Sequence, residues 1–144
     1  MSYYNKMLSA GLEFQDFCAV QFAKLGVPIT NFSSRKYQLE KGENMQGYEF
    51  KLDMNFRKTG NLWIETKERS DLNKEYVDSG IYRNDNTIFY IIGDYEGCYL
   101  IQKNVLKALT NKYDKRENNM KTSIGFLLPT KAADTLFNYI KFDG

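Results

Sequence analysis

Asp53, Glu65 and Lys67 are the residues whose types and spacing most readily do chemistry. They stand in two alternating segments, Gly47–Phe56 (GYEFKLDMNF) and Leu62–Arg69 (LWIETKER), separated by Arg57-Lys58-Thr59-Gly60-Asn61. In the first, Phe50, Leu52, Met54 and Phe56 share one face of a strand, and Glu49, Lys51, Asp53 and Asn55 the other. In the second, Leu62 and Ile64 oppose Trp63, Glu65 and Lys67. A turn near Thr59 predicts a hairpin that sets Asp53 against Glu65 and Lys51 against Lys67. Cβ atoms at opposed positions lie roughly 4.5–5.5 Å apart, close enough for two carboxylates to grip one ion. Without a cation they repel, so the pair makes more sense around Mg²⁺ or Mn²⁺. The chemistry implied is attack of a metal-activated water on a phosphate.

Lys67, two residues after Glu65, shares its face and would position that water or stabilise developing charge. The Thr66 carbonyl would complete the coordination, and Lys51 would add a second cation for phosphate. Glu49 is a rival or additional ligand on the first strand. Gln38 and Gln46, in the polar stretch before it, are candidates to contact bound water or phosphate. The same charges also suit a solvated face with cross-strand pairs such as Glu49 with Arg69 and Lys51 with Glu65.

Composition narrows the alternatives. The chain has 144 residues and no histidine, which removes Ser-His-Asp and Cys-His catalysis and His-containing zinc sites. Two distant cysteines, Cys18 and Cys98, make no CxxC pair and read as buried free thiols. A net charge of +2 gives no bulk argument for nucleic acid, and the local clusters around Arg35, Arg57 and Lys112–Lys121 suit a solvated surface equally. The aromatic surplus reads mainly as core packing, with Tyr3, Tyr4, Tyr76 and Tyr82 as candidate stacking groups. The longest apolar runs, Ile88–Ile92 and Ile124–Leu128, are too short to span a bilayer, so no membrane association and a cytoplasmic location are expected.

The elements that must position these groups follow from periodicity. Phe14, Phe17, Cys18, Phe22 and Leu25 predict a helix from about Tyr4 to Leu25, stopped by Gly26 and Pro28. Asn31–Gln46 reads as irregular, with a helical turn around Arg35–Glu40. Asp71–Ser79 reads as weakly helical, Thr87–Gly93 as a buried strand, and Cys98–Gln102 as its hairpin partner across Asp94–Gly97. Asn104 and Thr130 are candidate caps for helices reaching Asn111 and Tyr139, with a loop over Lys112–Lys121 and a strand over Ser123–Leu128 between them. Tyr82-Arg83-Asn84-Asp85 reads as a loop that can line the cleft. The whole predicts one mixed α/β domain over residues 1–144.

Asp53 followed by Glu65-Thr66-Lys67 resembles the signature of the PD-(D/E)XK nuclease superfamily, although Leu52 stands where the name has proline. Gly11-Leu12-Glu13-Phe14 with Leu25-Gly26 is similar to the opening helix of that superfamily, which would make Glu13 a further metal ligand. The resemblance covers roughly residues 8 to 92. It implies a restriction-endonuclease-like central sheet flanked by helices, and a Mg²⁺- or Mn²⁺-dependent DNA nuclease leaving 5′-phosphate ends. Asp53, Glu65 and Lys67 would be catalytic. Asp53, Glu65, Thr66, Glu13 and Glu49 would form the metal set, and Lys51, Gln38 and Gln46 would meet substrate. A chain this small would act as a homodimer or recognise DNA structure, and it resembles small phage nucleases acting in a bacterial cell. A catalytically inactive module binding nucleic acid or protein on the same fold is the alternative.

Overall fold

Three layers stack: a long helix, a first sheet and a second sheet. The computed structural model describes residues 3–143; the side chains of Tyr3 and Tyr4, two of the candidate stacking groups, lie outside the described residues. Apolar residues at helical spacing give α1 (Tyr3–Lys24) a buried stripe of Phe14, Cys18 and Phe22. That stripe packs on Phe50, Ile91 and Cys98 of the first sheet and on Phe142 just beyond its last strand. The other face of this sheet presents Tyr90, Ile92, Tyr99 and Ile101 to Leu62, Ile64, Phe126 and Leu128 of the second sheet.

The first sheet has the order β1-β4-β5-β8, from β1 (Tyr48–Leu52), β4 (Phe89–Gly93), β5 (Gly97–Gln102) and β8 (Asn138–Lys141). β1 runs parallel to β4, with Glu49 opposite Tyr90 and Lys51 opposite Ile92. The β4–β5 hairpin is as expected. Its turn is held by Asp94, which accepts from Glu96 and Gly97 N–H and takes a two-pronged bond from Arg57 at 2.6 and 3.0 Å. The second sheet has the order β3-β2-β7-β6, from β2 (Asn61–Glu68), β3 (Val77–Asp78), β6 (Lys115–Glu117) and β7 (Ser123–Pro129). The short helices are α2 (Arg35–Lys41), α3 (Phe56–Thr59), α4 (Lys103–Leu109) and α5 (Thr130–Leu136). Among the described residues no helix is long and apolar enough to cross a membrane.

One expectation fails in a way that matters: β1 and β2 do not form a hairpin but belong to different sheets. Asp53 breaks the first strand. Its carboxylate accepts the Asn55 N–H two residues on, at 3.0 Å, and the Trp63 N–H at 3.1 Å. Phe56 then drops into the core between the sheets, and α3 closes on Gly60 in the left-handed conformation (φ 75°). The chain thereby leaves the first sheet and enters β2 in the second. The facing of Asp53 with Glu65 and of Lys51 with Lys67 is therefore not formed. Smaller differences follow edge positions. Asp71–Ser79 holds the two-residue β3 rather than a helix, the Lys112–Lys121 loop contains β6, and α5 stops at Leu136 so that β8 can pair with β5. Neither α4 nor α5 carries the side-chain cap expected from Asn104 or Thr130.

Candidate functional site

The polar stretch before β1 is rigidly built. Asn44 is fully buried, exchanges hydrogen bonds with both Tyr48 N–H and Tyr48 C=O, and donates to Asn31. Its own carbonyl accepts from Asn86 Nδ2 at 2.7 Å. Gly42 (φ 125°) has no room for a Cβ, which would sit 1.7 Å from Asn86 Oδ1. This clamp turns the neighbouring Glu43 inward, where Oε1 accepts the Phe50 N–H at 3.1 Å along β1, the edge strand of its sheet.

Glu43 therefore lies beside Glu49, and both are about 5% exposed. Burial first, and the charge of Glu49 second, hold the Glu43 carboxyl well above the usual carboxylate range. Lys51 Nζ stands 3.3 Å from Glu49 Oε2. That oxygen is nevertheless buried without a hydrogen-bond partner among the described residues. Glu49 chiefly, with Glu43 and Glu65 adding, raises the Lys51 ammonium above its ordinary value and keeps it charged. Burial works against the charge on Arg83, but Glu49, Glu68, Asp85 and Glu65 together outweigh it and raise the guanidinium above its ordinary value. The loop carrying it is tied down by the buried Lys103, which donates to Arg83 C=O at 2.8 Å and pairs with Asp85 at 3.1 Å.

Of these groups Glu43 and Lys51 line an open cavity of about 820 Å³, whereas Glu49 and Arg83 are outside its lining. Gln15 on α1, Glu43, Lys51, Asp53, Trp63 and Glu65 line it. Three of the sequence-selected residues, Lys51, Asp53 and Glu65, thus converge on one space. Their chemistry differs from expectation. Both Asp53 oxygens are engaged by backbone N–H groups, as above. Both Glu65 oxygens accept serine hydroxyls, Oε2 from Ser79 and Oε1 from Ser123, each at 2.7 Å. Thr66 sits at a bulge in the β2–β7 pairing, where its carbonyl already accepts the Ser79 N–H at 3.0 Å. Lys67 points to the exposed side and pairs with Asp78 at 2.9 Å.

The remaining sequence-selected residues lie outside the cavity lining. Glu13 is exposed on α1, and the buried Gln15 takes the inward position instead. Gln46 is exposed. Gln38 is buried, donates to Phe32 C=O and accepts from Arg35, a structural role within its loop.

Sequence reasoning did not select Glu43, and it offered Arg83 only as part of a loop that can line the cleft, whose lining Arg83 does not join. A usable signal existed: Glu49-Phe50-Lys51 is itself an acid-x-lysine tripeptide, with Glu43 a few residues ahead of it. Among the described residues no three Asp, Glu, Cys or His side chains form a complete ligand cluster. Magnesium keeps several waters and needs only one or two carboxylates, so the Glu43–Glu49 pair meets its requirement for hard oxygen donors. Glu49 Oε2, paired with the Lys51 ammonium at 3.3 Å but without a hydrogen bond among the described residues, is the atom such an ion would meet. Comparison of the chain with family models, curated proteins and solved structures gave no match.

Proposed function

We propose that this protein is a divalent-metal-dependent DNA phosphodiesterase with a restriction-endonuclease-like architecture, and that its acid-x-lysine element is Glu49-Phe50-Lys51 on β1. The observation that carries this reading is the buried Glu43–Glu49 pair beside Lys51, with Glu43 and Lys51 lining an open cavity. Two buried carboxylates and an ammonium are costly to assemble for stability alone. Perturbed titratable groups gathered at a cavity are a mark of a working site.

In this reading Glu43 and Glu49 hold Mg²⁺ or Mn²⁺. The ion, when bound, supplies Lewis acidity toward a phosphate oxygen and lowers the pKa of water. Lys51 neutralises negative charge that builds on the phosphate as water adds and the P–O bond breaks, giving a phosphate monoester and a free hydroxyl. Glu65, fixed by Ser79 and Ser123, lies near Lys51 and Arg83 and favours the charged form of both.

A second reading, a binding module without catalysis, is favoured by the satisfied state of Asp53, Glu65 and Lys67. The two separate on incubation of labelled DNA, single-stranded, duplex and branched, with Mg²⁺ or Mn²⁺. Metal-dependent cutting by the wild type that is lost in Glu43→Gln and Glu49→Gln supports the enzyme. Retention of DNA without any cutting supports the module.

A further inference from the structure

The long helix α1 brings one polar side chain to the cavity wall from its buried side. Leu8, Gly11, Leu12 and Gln15, three and four residues apart, turn one face of the helix to the lining. Leu8 and Leu12 are apolar, and a Cβ at Gly11 would meet nothing within 4 Å among the described residues, so the space one turn before Gln15 is open. Gln15 itself is 5% exposed. Its backbone carbonyl accepts from Asn31 Nδ2 at 3.4 Å, but its side-chain amide makes no hydrogen bond among the described residues. Gln38, equally buried, is the contrast, since its amide donates to Phe32 C=O and accepts from Arg35. Burying an amide without partners costs stability, and native structures rarely accept that cost unless a water, ion or ligand meets the group.

The same turn of α1 is tied to the loop that carries Glu43. Asn31 bonds the Gln15 carbonyl through Nδ2 and accepts from Asn44 Nδ2 through Oδ1 at 3.1 Å. Asn31 and Asn44 also form a backbone bridge, and Phe32 N–H donates to Glu43 C=O at 2.8 Å. Asn31 therefore links Gln15 to the clamp that turns Glu43 inward, and Gln15 and Glu43 line the same cavity. An anion in this place would need free cations, whereas the lining carries Glu43, Asp53 and Glu65, and its Lys51 is already paired with Glu49. A hydrated divalent ion fits better. It keeps several waters whose protons point outward, and a neutral amide oxygen accepts from them without adding charge.

We propose that Gln15 is a positioning residue of the metal site, its Oε1 accepting a hydrogen bond from a water on the ion held by Glu43 and Glu49. This rests on the metal reading above for the ion, and makes α1 an element that fixes the ion's water shell beside β1 and the loop before it.

The test titrates Mn²⁺ into the full chain, reads the free ion by its electron paramagnetic resonance signal, and records melting temperatures in chelator. Saturable binding by the wild type that is abolished in Glu43→Gln is expected. Gln15→Met, similar in volume but lacking the amide oxygen, should weaken Mn²⁺ binding about tenfold or more. Its melting temperature in chelator should stay at or above that of the wild type, because no internal bond is lost. Gln15→Glu restores an oxygen acceptor and should match or exceed wild-type affinity. Gln46→Met, exposed and outside the lining, should change neither quantity. Unaltered Mn²⁺ affinity in Gln15→Met overturns the proposal and leaves the Glu43–Glu49 ion standing. A lower melting temperature of Gln15→Met in chelator also overturns it and makes the amide structural, as does a loss in Gln15→Glu equal to that in Gln15→Met. Absence of saturable binding by the wild type, or binding retained in Glu43→Gln, removes the ion from the pair and takes this inference with it.

Discussion

Two glutamate-x-lysine tripeptides, Glu49-Phe50-Lys51 on β1 and Glu65-Thr66-Lys67 on β2, meet opposite fates in one molecule. On β2 both carboxylate oxygens are bonded to serine hydroxyls, and the lysine is spent on an exposed pair with Asp78. On β1 the carboxylate is buried against a second carboxylate, one oxygen lacks a hydrogen-bond partner among the described residues, and the lysine stays beside it. Identical spacing therefore says little about role. What differs is whether the surrounding fold satisfies the carboxylate with hydrogen bonds or leaves an oxygen without one.

The contrast yields measurable differences. The largest expected effect is metal-dependent stability. Mg²⁺ or Mn²⁺ at a hundred times its dissociation constant should add about 2.7 kcal/mol, read as a rise in melting temperature. Glu49→Gln or Glu43→Gln should erase the gain, whereas Glu65→Gln should leave most of it. Loss of the gain in Glu65→Gln alone would return the metal to β2.

Next comes the cost of removing each carboxylate from the metal-free protein. Glu65→Ala leaves the Ser79 and Ser123 hydroxyls without their acceptor and should destabilise by about 1–3 kcal/mol in urea unfolding. Glu49→Gln should cost less, or stabilise, because it relieves repulsion with Glu43. Equal losses in the two variants would break the distinction.

A smaller, directional effect is the response to pH. The Glu43 carboxyl binds its proton more tightly folded than unfolded. Its contribution is thus complete below the ordinary carboxylate value and is lost as pH rises toward and through the raised one. With chelator present, wild-type stability should fall across that window more steeply than that of Glu43→Gln. Parallel profiles would remove Glu43 from the buried pair. The smallest effect belongs to the exposed Lys67–Asp78 contact. Lys67→Ala should cost on the order of 0.5 kcal/mol and weaken with salt.

The local patterns were legible in the sequence. The Phe14–Cys18–Phe22 stripe specified α1, and the apolar run Phe89–Gly93 with the following turn specified the β4–β5 hairpin. What alternation cannot reveal is the partner of a strand. The β1–β4 pairing joins segments far apart in the chain, and it prevailed because Asp53 bonds the backbone beyond it and Phe56 is needed between the sheets. The β6 strand, Lys115-Arg116-Glu117, is an exposed edge with no apolar residue to mark it. Lys51, Asp53 and Glu65 were recognisable as polar members of strands and do meet at the cavity. Glu43 was hidden in a polar loop, because its burial depends on the Asn44 and Asn86 bonds that no periodicity encodes.

The most direct test sets the two lysines against each other. Purified Lys51→Met and Lys67→Met are assayed with the wild type on the same labelled DNA in Mg²⁺ or Mn²⁺. The account predicts that Lys51→Met loses about 10²–10³-fold of the cleavage rate, as removal of a charge-stabilising donor does elsewhere, while Lys67→Met stays near the wild type. Loss in Lys67→Met with cleavage intact in Lys51→Met would contradict it and assign the chemistry to β2.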